Sequence, residues 1–322
     1  MKRKQIAVCD REQDYTLRFT EYANRRRDPV FTVHGFTSCG ELAGYAEEHP
    51  VDILLICEEL SKEIGDKTRY GQIFYLSENE YQEKETDAPR VYKFQSCPQI
   101  MRTVLSGYAE QTPEGPGTAL RQNRMKQIGV YSPVGRIGKT SFALALGREL
   151  AKQKRTLYLN LEEYSGFSVL YPYGDGWTLS ELMYFLKQGK NAFVCKLESI
   201  VRRLGSLDYI PPLKSPVELR HISRKDWECL LEALGRESHY EMLILDMSGA
   251  VDGLFELLGH CDGVYTPIRE DEVSGAKLCQ YEETLRLLDL EEVLEKTKKF
   301  WLSQEKDLET FIRAEGKRWL SP

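Results

Sequence analysis

Runs of adjacent apolar residues, with little strict alternation, set the pattern of this chain. In the first hundred residues they fall at Ile6–Cys9, Phe31–Val33, Asp52–Cys57, Ile73–Leu76 and Val91–Phe94. Mixed stretches with helical spacing lie between them, from Gln13 to Arg26, Cys39 to Glu48 and Pro98 to Glu110. Strands that are apolar on both faces and alternate with helices predict a parallel sheet covered on both sides.

The same rhythm returns later. Ile128–Tyr131 reads as a strand and Phe142–Lys152 as a helix, followed by a strand with its exit at Thr156–Glu162. Further on come a strand at Met242–Asp246, a helix at Asp252–Leu258 and a strand at Gly263–Pro267. A long helix at Val273–Leu288 and a last strand at Lys299–Leu302 complete the pattern. Thr178 with Glu181, and Ser223 with Asp226, have the spacing of a hydroxyl N-cap answered by a carboxylate three residues on, so each predicts a helix start. Trp177 and Trp227 read as packing residues.

Residues 111–118, Gln-Thr-Pro-Glu-Gly-Pro-Gly-Thr, interrupt the rhythm and read as a linker. The expected fold class is therefore α/β, with two parallel-sheet domains. The boundaries are residues 1–110, a linker at 111–125 and a second domain at 126–322.

Length and composition fit this division. A chain of 322 residues exceeds what one core usually serves, and 41% hydrophobic residues suffice for two. No apolar run has the length of a membrane span, and no apolar segment follows Met1-Lys2-Arg3-Lys4, so neither a transmembrane helix nor a signal peptide is expected. Eight scattered cysteines without a Cys-x-x-Cys pair suit reduced thiols in the cytoplasm, and the five histidines show no ligand spacing. A net charge of −6 argues against a dedicated nucleic-acid binder, so no specific nucleic acid is expected as a partner.

The candidate chemistry begins at residue 132. Ser-Pro-Val-Gly-Arg-Ile-Gly-Lys-Thr-Ser follows a short apolar strand and precedes a helix, the setting in which a phosphate loop is credible. Gly135 and Gly138 let backbone N–H groups crowd around an anion, and the helix N-terminus adds partial positive charge. Lys139 can reach β- and γ-phosphates, and the Thr140 hydroxyl can ligate Mg²⁺. The expected nucleotide-binding set is Gly135, Arg136, Ile137, Gly138, Lys139, Thr140 and Ser141. Met242-Leu243-Ile244-Leu245 ends in Asp246, a buried strand that delivers a carboxylate to the edge where open α/β sheets bind ligands. Asp246 is thus the second expected Mg²⁺ residue, with Thr140.

The ordinary Gly-x4-Gly-Lys-Thr loop would need glycine at Pro133. The segment instead resembles the shorter deviant loop, Lys-Gly-Gly-x-Gly-Lys-Thr, of the MinD/ParA superfamily of ATPases. Gly135, Gly138, Lys139 and Thr140 match it, whereas Val134 replaces its first lysine and Arg136 its second glycine. Arg136 costs of order 1 kcal/mol if a positive φ is needed there. The resemblance implies ATP and Mg²⁺ as cofactors, a homodimer, and Lys139, Glu162 and Asp246 as the catalytic set. Asn160 and Glu162 stand where the family carries Asp-x-Asp, whose second aspartate helps position the attacking water. Gly249 resembles the switch glycine. Pro267 and Ile268, and Ser303 and Gln304, fall where the relatives contact adenine, although the final strand lacks the usual asparagine. These departures together imply ATP binding with weak turnover.

The first domain resembles a response-regulator receiver. Asp10, Ser77 and Lys93 match its acidic, hydroxyl and lysine positions, but Cys57 stands at the phospho-acceptor position with Glu58 and Glu59 beside it. A thiol there cannot form the acyl phosphate, so an interaction module is expected in place of a phosphorylation switch. In the tail, Leu308, Phe311, Ile312 and Trp319 can share a helical face. MinD has a membrane-targeting helix at that position, which implies peripheral membrane association. Asp307, Glu309 and Glu315 favour a helix docked on its own domain.

A receiver-like domain joined to a deviant-loop ATPase resembles the CpaE/TadZ family, whose members mark the cell pole or the assembly site of Tad/Flp-type pili. The resemblance implies pilus or secretion assembly proteins as partners and a position at the pole or inner membrane face. A ParA-type DNA-partition ATPase is the alternative, and a nucleotide-free scaffold that kept only the fold is the third.

Overall fold

The computed structural model describes residues 3–24, 31–79, 89–111, 125–174, 176–188, 193–301 and 305–320. Residues 112–124 of the expected linker lie outside them, as do Ser303 and Gln304. The chain forms two compact units, Met1–Ala119 with Gly189–Ser199, and Leu120–Gln188 with Ile200–Pro322.

In the first unit the order is β1 (Lys4–Cys9), α1 (Gln13–Asn24), β2 (Phe31–Phe36), α2 (Cys39–Glu48), β3 (Val51–Cys57), β4 (Tyr70–Ser77), β5 (Arg90–Tyr92) and α3 (Cys97–Gln111). The sheet order is β2-β1-β3-β4-β5, all parallel. Ile53 to Ile56 are wholly buried, as a strand flanked on both sides and covered on both faces must be. The expected alternation breaks between β3 and β4. Two short 3₁₀ turns, Leu60–Lys62 and Lys67–Arg69, stand where a helix would be.

A later segment completes this unit. All eight residues of the helix Phe193–Ile200 are buried. Its Lys196 ammonium donates to Ser106 Oγ at 3.1 Å and to Glu110 Oε1 at 3.2 Å, both on α3. Sequence gave no sign of this helix. It is short, its Lys196 and Glu198 look like surface residues, and only the tertiary setting buries them.

The second unit begins with β6 (Lys126–Val130), α4 (Lys139–Leu150), β7 (Thr156–Leu161), α5 (Phe167–Leu170) and α6 (Leu179–Lys187). The chain then passes through α7, the helix just described, to β8 (Arg202–Leu204), β9 (Leu207–Ile210), α8 (Pro216–Arg220), α9 (Arg224–Glu237) and β10 (Met242–Met247). It closes with α10 (Leu254–His260), β11 (Gly263–Ile268), α11 (Glu272–Leu287), α12 (Glu291–Glu295), β12 (Thr297–Trp301) and α13 (Glu305–Leu320). The sheet order is β12-β11-β6-β10-β7-β9-β8, parallel except for the β8–β9 hairpin. Both expected capping boxes are present at the starts of α6 and α9, and Trp227 is core.

The tail helix α13 docks on its own unit. Leu308, Phe311, Trp319 and Leu320 pack against the core formed by Phe142, Tyr265, Phe300 and Ile312. Buried Glu315 accepts from Tyr265 Oη at 2.5 Å and pairs with Lys298, while Trp319 Nε1 donates to Tyr265 Oη at 2.8 Å. The docking is close: a Cβ on Gly263 would lie 2.7 Å from the Trp319 ring. Its apolar face is therefore spent on packing. Among the described residues no helix is long and apolar enough to cross a membrane, and all eight cysteines are free thiols.

Candidate phosphate-loop site

Strand β6 lies between β10 and β11, so the loop after it opens at the C-terminal edge of the sheet beside the exits of both neighbours. Val134 N–H donates to Ser132 Oγ at 3.2 Å, which tightens the first turn of the loop. Val134 and Ile137 are buried and anchor it, while Gly135 and Arg136 face outward. Arg136 has φ 57°, so the left-handed conformation that glycine would supply is in fact adopted by an arginine. Gly138, at φ 80°, is the N-cap of α4, and Lys139, Thr140 and Ser141 form its first turn. The first backbone N–H groups of that helix have no partner within it and point out of its start.

Three separate elements bring charge to this point. Lys139 Nζ lies 2.9 Å from Glu162 Oε1, the first residue beyond β7, and 5.8 Å from the centre of the Tyr131 ring at the end of β6. Asp246, near the end of β10, is 0% exposed and stands in register with Val130 and Asn160. Its Oδ2 accepts from Tyr158 Oη at 2.8 Å and from Asn160 Nδ2 at 3.2 Å. Burial pushes the Asp246 carboxyl up to about 6, and Glu162 adds to the rise, while Thr140, Tyr158 and Lys139 oppose it. The Tyr158 hydroxyl is held far above its ordinary value, first by complete burial and then by Asp246.

Asp246 Oδ1 is buried and accepts no hydrogen bond. An orphaned carboxylate oxygen next to a helix start, with the Thr140 hydroxyl close by, is a hard-oxygen donor set of the kind Mg²⁺ takes alongside nucleotide phosphates. The residues therefore fit a Mg²⁺–nucleotide. Lys139 and the loop amides would hold the phosphates, and Thr140 with Asp246 would hold the ion.

Lys139, Thr140, Glu162 and Asp246 thus gather at one sheet edge, and Gly249 follows Asp246 in the loop after β10. Pro267 closes the expected strand, which Ile268 extends by one residue. They are the last two residues of β11, paired with Phe300 and Trp301. Tyr158 was missed in sequence, because a tyrosine inside an apolar strand looks like core until its partner 88 residues away is known. Tyr131 was missed too, because an aromatic closing an apolar strand looks like core.

In the first unit, Asp10 and Lys93 meet directly. Lys93 Nζ lies 3.0 Å from Asp10 Oδ1, 2.9 Å from Oδ2 and 2.8 Å from Glu12 Oε1. Burial alone would lower the Lys93 pKa, but bonds to Glu12 and Asp10 outweigh it and hold it above the ordinary lysine value. Ser77 Oγ is engaged in a local turn with Asn79, and Glu58 and Glu59 pair with Arg90 and Arg11.

A strand, a loop with Lys139 at the following helix start, and an acidic residue ending the adjacent strand define a phosphate-loop α/β architecture. No protein-family model matches the chain, and no curated protein matches it. Similar solved structures include a plasmid partition protein of Borrelia burgdorferi with AMPPNP bound. It is 18% identical over 60% of this chain and 90% of its own, with a TM-score of 0.44. MinD of Aquifex aeolicus, in complex with MinC, is 14% identical over 58% of this chain and 72% of its own, at 0.42. McdA of Cyanothece is 18% identical over 60% and 81%, at 0.41. These are partial likenesses, and the assignment of the site rests on the distances above.

Proposed function

We propose that the chain is an ATP-binding, weakly hydrolysing protein of MinD/ParA type. The observation that carries this reading is the convergence of Lys139, Thr140 and the orphaned Asp246 oxygen on one helix start at the C-terminal edge of the sheet. Binding needs only Lys139, Thr140 and the loop amides. Turnover is slow because Val134 brings no cation to offset charge developing on the γ-phosphate, Asn160 brings no carboxylate, and Arg136 strains the loop. Such a protein acts as a nucleotide-held clamp whose output is location.

In this reading residues 1–110, completed by α7, form a receiver-like interaction module, and the expected second domain at 126–322, less the segment 189–199, forms the ATP-binding domain. A cytoplasmic homodimer would position a Tad/Flp-type pilus or a related secretion machine, as the resemblance to the CpaE/TadZ family suggests. With α13 docked on its own core, any membrane association would depend on another surface.

Calorimetric titration of the full-length protein with ATP and Mg²⁺ tests the core of the proposal. Binding in the wild type and its loss in a folded Lys139→Ala variant are expected. Equal affinity in the two proteins would sink the assignment.

A further inference from the structure

Where a carboxylate is expected at the exit of β7, this chain has an amide, and its hydrogen bonds give a reason. Asn160 is 2% exposed and lies directly opposite Asp246 across the β7–β10 ladder. Its Nδ2 donates to Asp246 Oδ2 at 3.2 Å and to Tyr158 Oη at 2.9 Å. Its Oδ1 accepts from the Glu162 N–H at 3.1 Å. Tyr158 Oη donates to the same Asp246 Oδ2 at 2.8 Å.

The asymmetry of this cluster is the informative feature. A buried carboxylate needs donors, so a merely structural network would be expected to serve both oxygens. Here both β7 donors go to Oδ2, while Oδ1, equally buried, takes none from that strand; the Thr140 hydroxyl at the helix start is the carboxyl's other hydrogen-bonding neighbour. Nor would aspartate replace Asn160 neutrally. It could still accept the Glu162 N–H, but it would set a second carboxylate about 3 Å from the first with no proton between them.

We propose that Tyr158 and Asn160 are positioning residues that pin Asp246 Oδ2, so that Oδ1 alone is presented to a hard divalent cation. The Asn160 carbonyl ties this presentation to the strand exit that carries Glu162, the partner of Lys139. Both ends of the phosphate site are thereby held by one side chain. The inference rests on the nucleotide reading above and assigns the cation's share of the affinity to two residues that touch neither nucleotide nor ion.

The test is titration of the full-length protein with a non-hydrolysable ATP analogue, once in EDTA and once in Mg²⁺, for wild type, Tyr158→Phe and Asn160→Asp. Loss of an outer-shell partner of a metal ligand typically costs about 10- to 100-fold in metal affinity, so the Mg²⁺ enhancement should fall at least about tenfold in Tyr158→Phe. The affinity in EDTA should move by less than about twofold, since the phosphate contacts stay intact. Asn160→Asp keeps the acceptor and removes the donor. It should lose the enhancement while its melting curve stays cooperative. Unchanged enhancement in both folded variants, or equal losses with and without Mg²⁺, overturns the positioning role. A wild type that binds the analogue with no help from Mg²⁺ overturns it too, yet leaves the nucleotide reading standing. A wild type that binds no nucleotide at all overturns both.

Discussion

Lys139 Nζ and Glu162 Oε1 lie 2.9 Å apart, so the one loop cation that matches the phosphate motif already has a carboxylate partner. Both side chains are mostly buried, at 13% and 22% exposure, and the pair is only partly screened by water. In the proposed function, a phosphate entering the loop would compete with Glu162 for the same ammonium. Glu162 therefore has two opposing effects, weakening binding through Lys139 and, in the proposed mechanism, ordering the attacking water.

Replacing Glu162 with glutamine separates these effects. The pair's net worth of about 1 kcal/mol should reappear as roughly fivefold tighter binding of ATP–Mg²⁺. Hydrolysis should slow by about a hundredfold, the usual cost of one aimed electrostatic contact. Calorimetry and a steady-state phosphate-release assay read the two quantities independently. Unchanged affinity would show that the pair does not oppose binding, and brisk, unchanged hydrolysis would remove Glu162 from the mechanism.

Arg136 gives a second prediction, because its φ of 57° is a conformation L side chains adopt at a cost. Arg136→Gly should stabilise the fold by about 1 kcal/mol, which corresponds to a few degrees in melting temperature. If the guanidinium serves the phosphates, ATP affinity falls in the same variant even as the melting temperature rises. Parallel changes in both quantities would reduce Arg136 to a strained loop residue.

Asp246 makes stability depend on pH. Its carboxyl titrates near 6 in the folded chain against an ordinary value of 3.8, so between about pH 4 and 6 the folded state binds more protons than the unfolded one. Stability contributed by this group is complete below about 4 and is lost as pH rises through 6. The gap corresponds to about 3 kcal/mol. Urea unfolding of wild type and Asp246→Asn at pH 4.5 and 6.5 should show that fall in the wild type relative to the variant. Parallel pH profiles would contradict it.

The first unit should not accept a phosphoryl group. Cys57 ends β3, and Lys93 is committed to Asp10 and Glu12. Acetyl phosphate with Mg²⁺ should leave no added mass on residues 1–110, as intact-protein and peptide mass spectrometry can establish. Lys93→Met should destabilise the chain by about 3 kcal/mol, because Asp10 would remain buried without its cation. A stable adduct at Glu58 or Glu59 would overturn this account.

Local signals made much of the fold legible in advance. β3 and β10 announce themselves as apolar runs because each is flanked and covered on every side. The N-caps at Thr178 and Ser223 need only four residues to be recognised. The strand–loop–helix turn at Gly138-Lys139-Thr140, too, was legible from that segment and the strand before it. What could not be read depended on distant partners. Asn160 and Asp246 are 86 residues apart in sequence, and neither carries a sign of the other. The short hairpin β8–β9 did leave a clue, since Gly205 adopts the positive φ its tight turn demands, but its strands are too brief to show a period.

Helix α7 has a consequence for the way this protein is made. The first unit counts residues 189–199 among its own, so its sheet leaves the ribosome before the helix that finishes it has been synthesised. The delay is about 80 residues of chain, or roughly 4–16 s at ordinary rates of synthesis. During that interval the face of α3 that receives Lys196 is open to water and to chaperones. The first unit is therefore complete only after residues 193–199 have emerged. Helix α3 gains its Lys196 contacts only once this later segment has been made, so a cut at the expected linker would leave the first unit without α7.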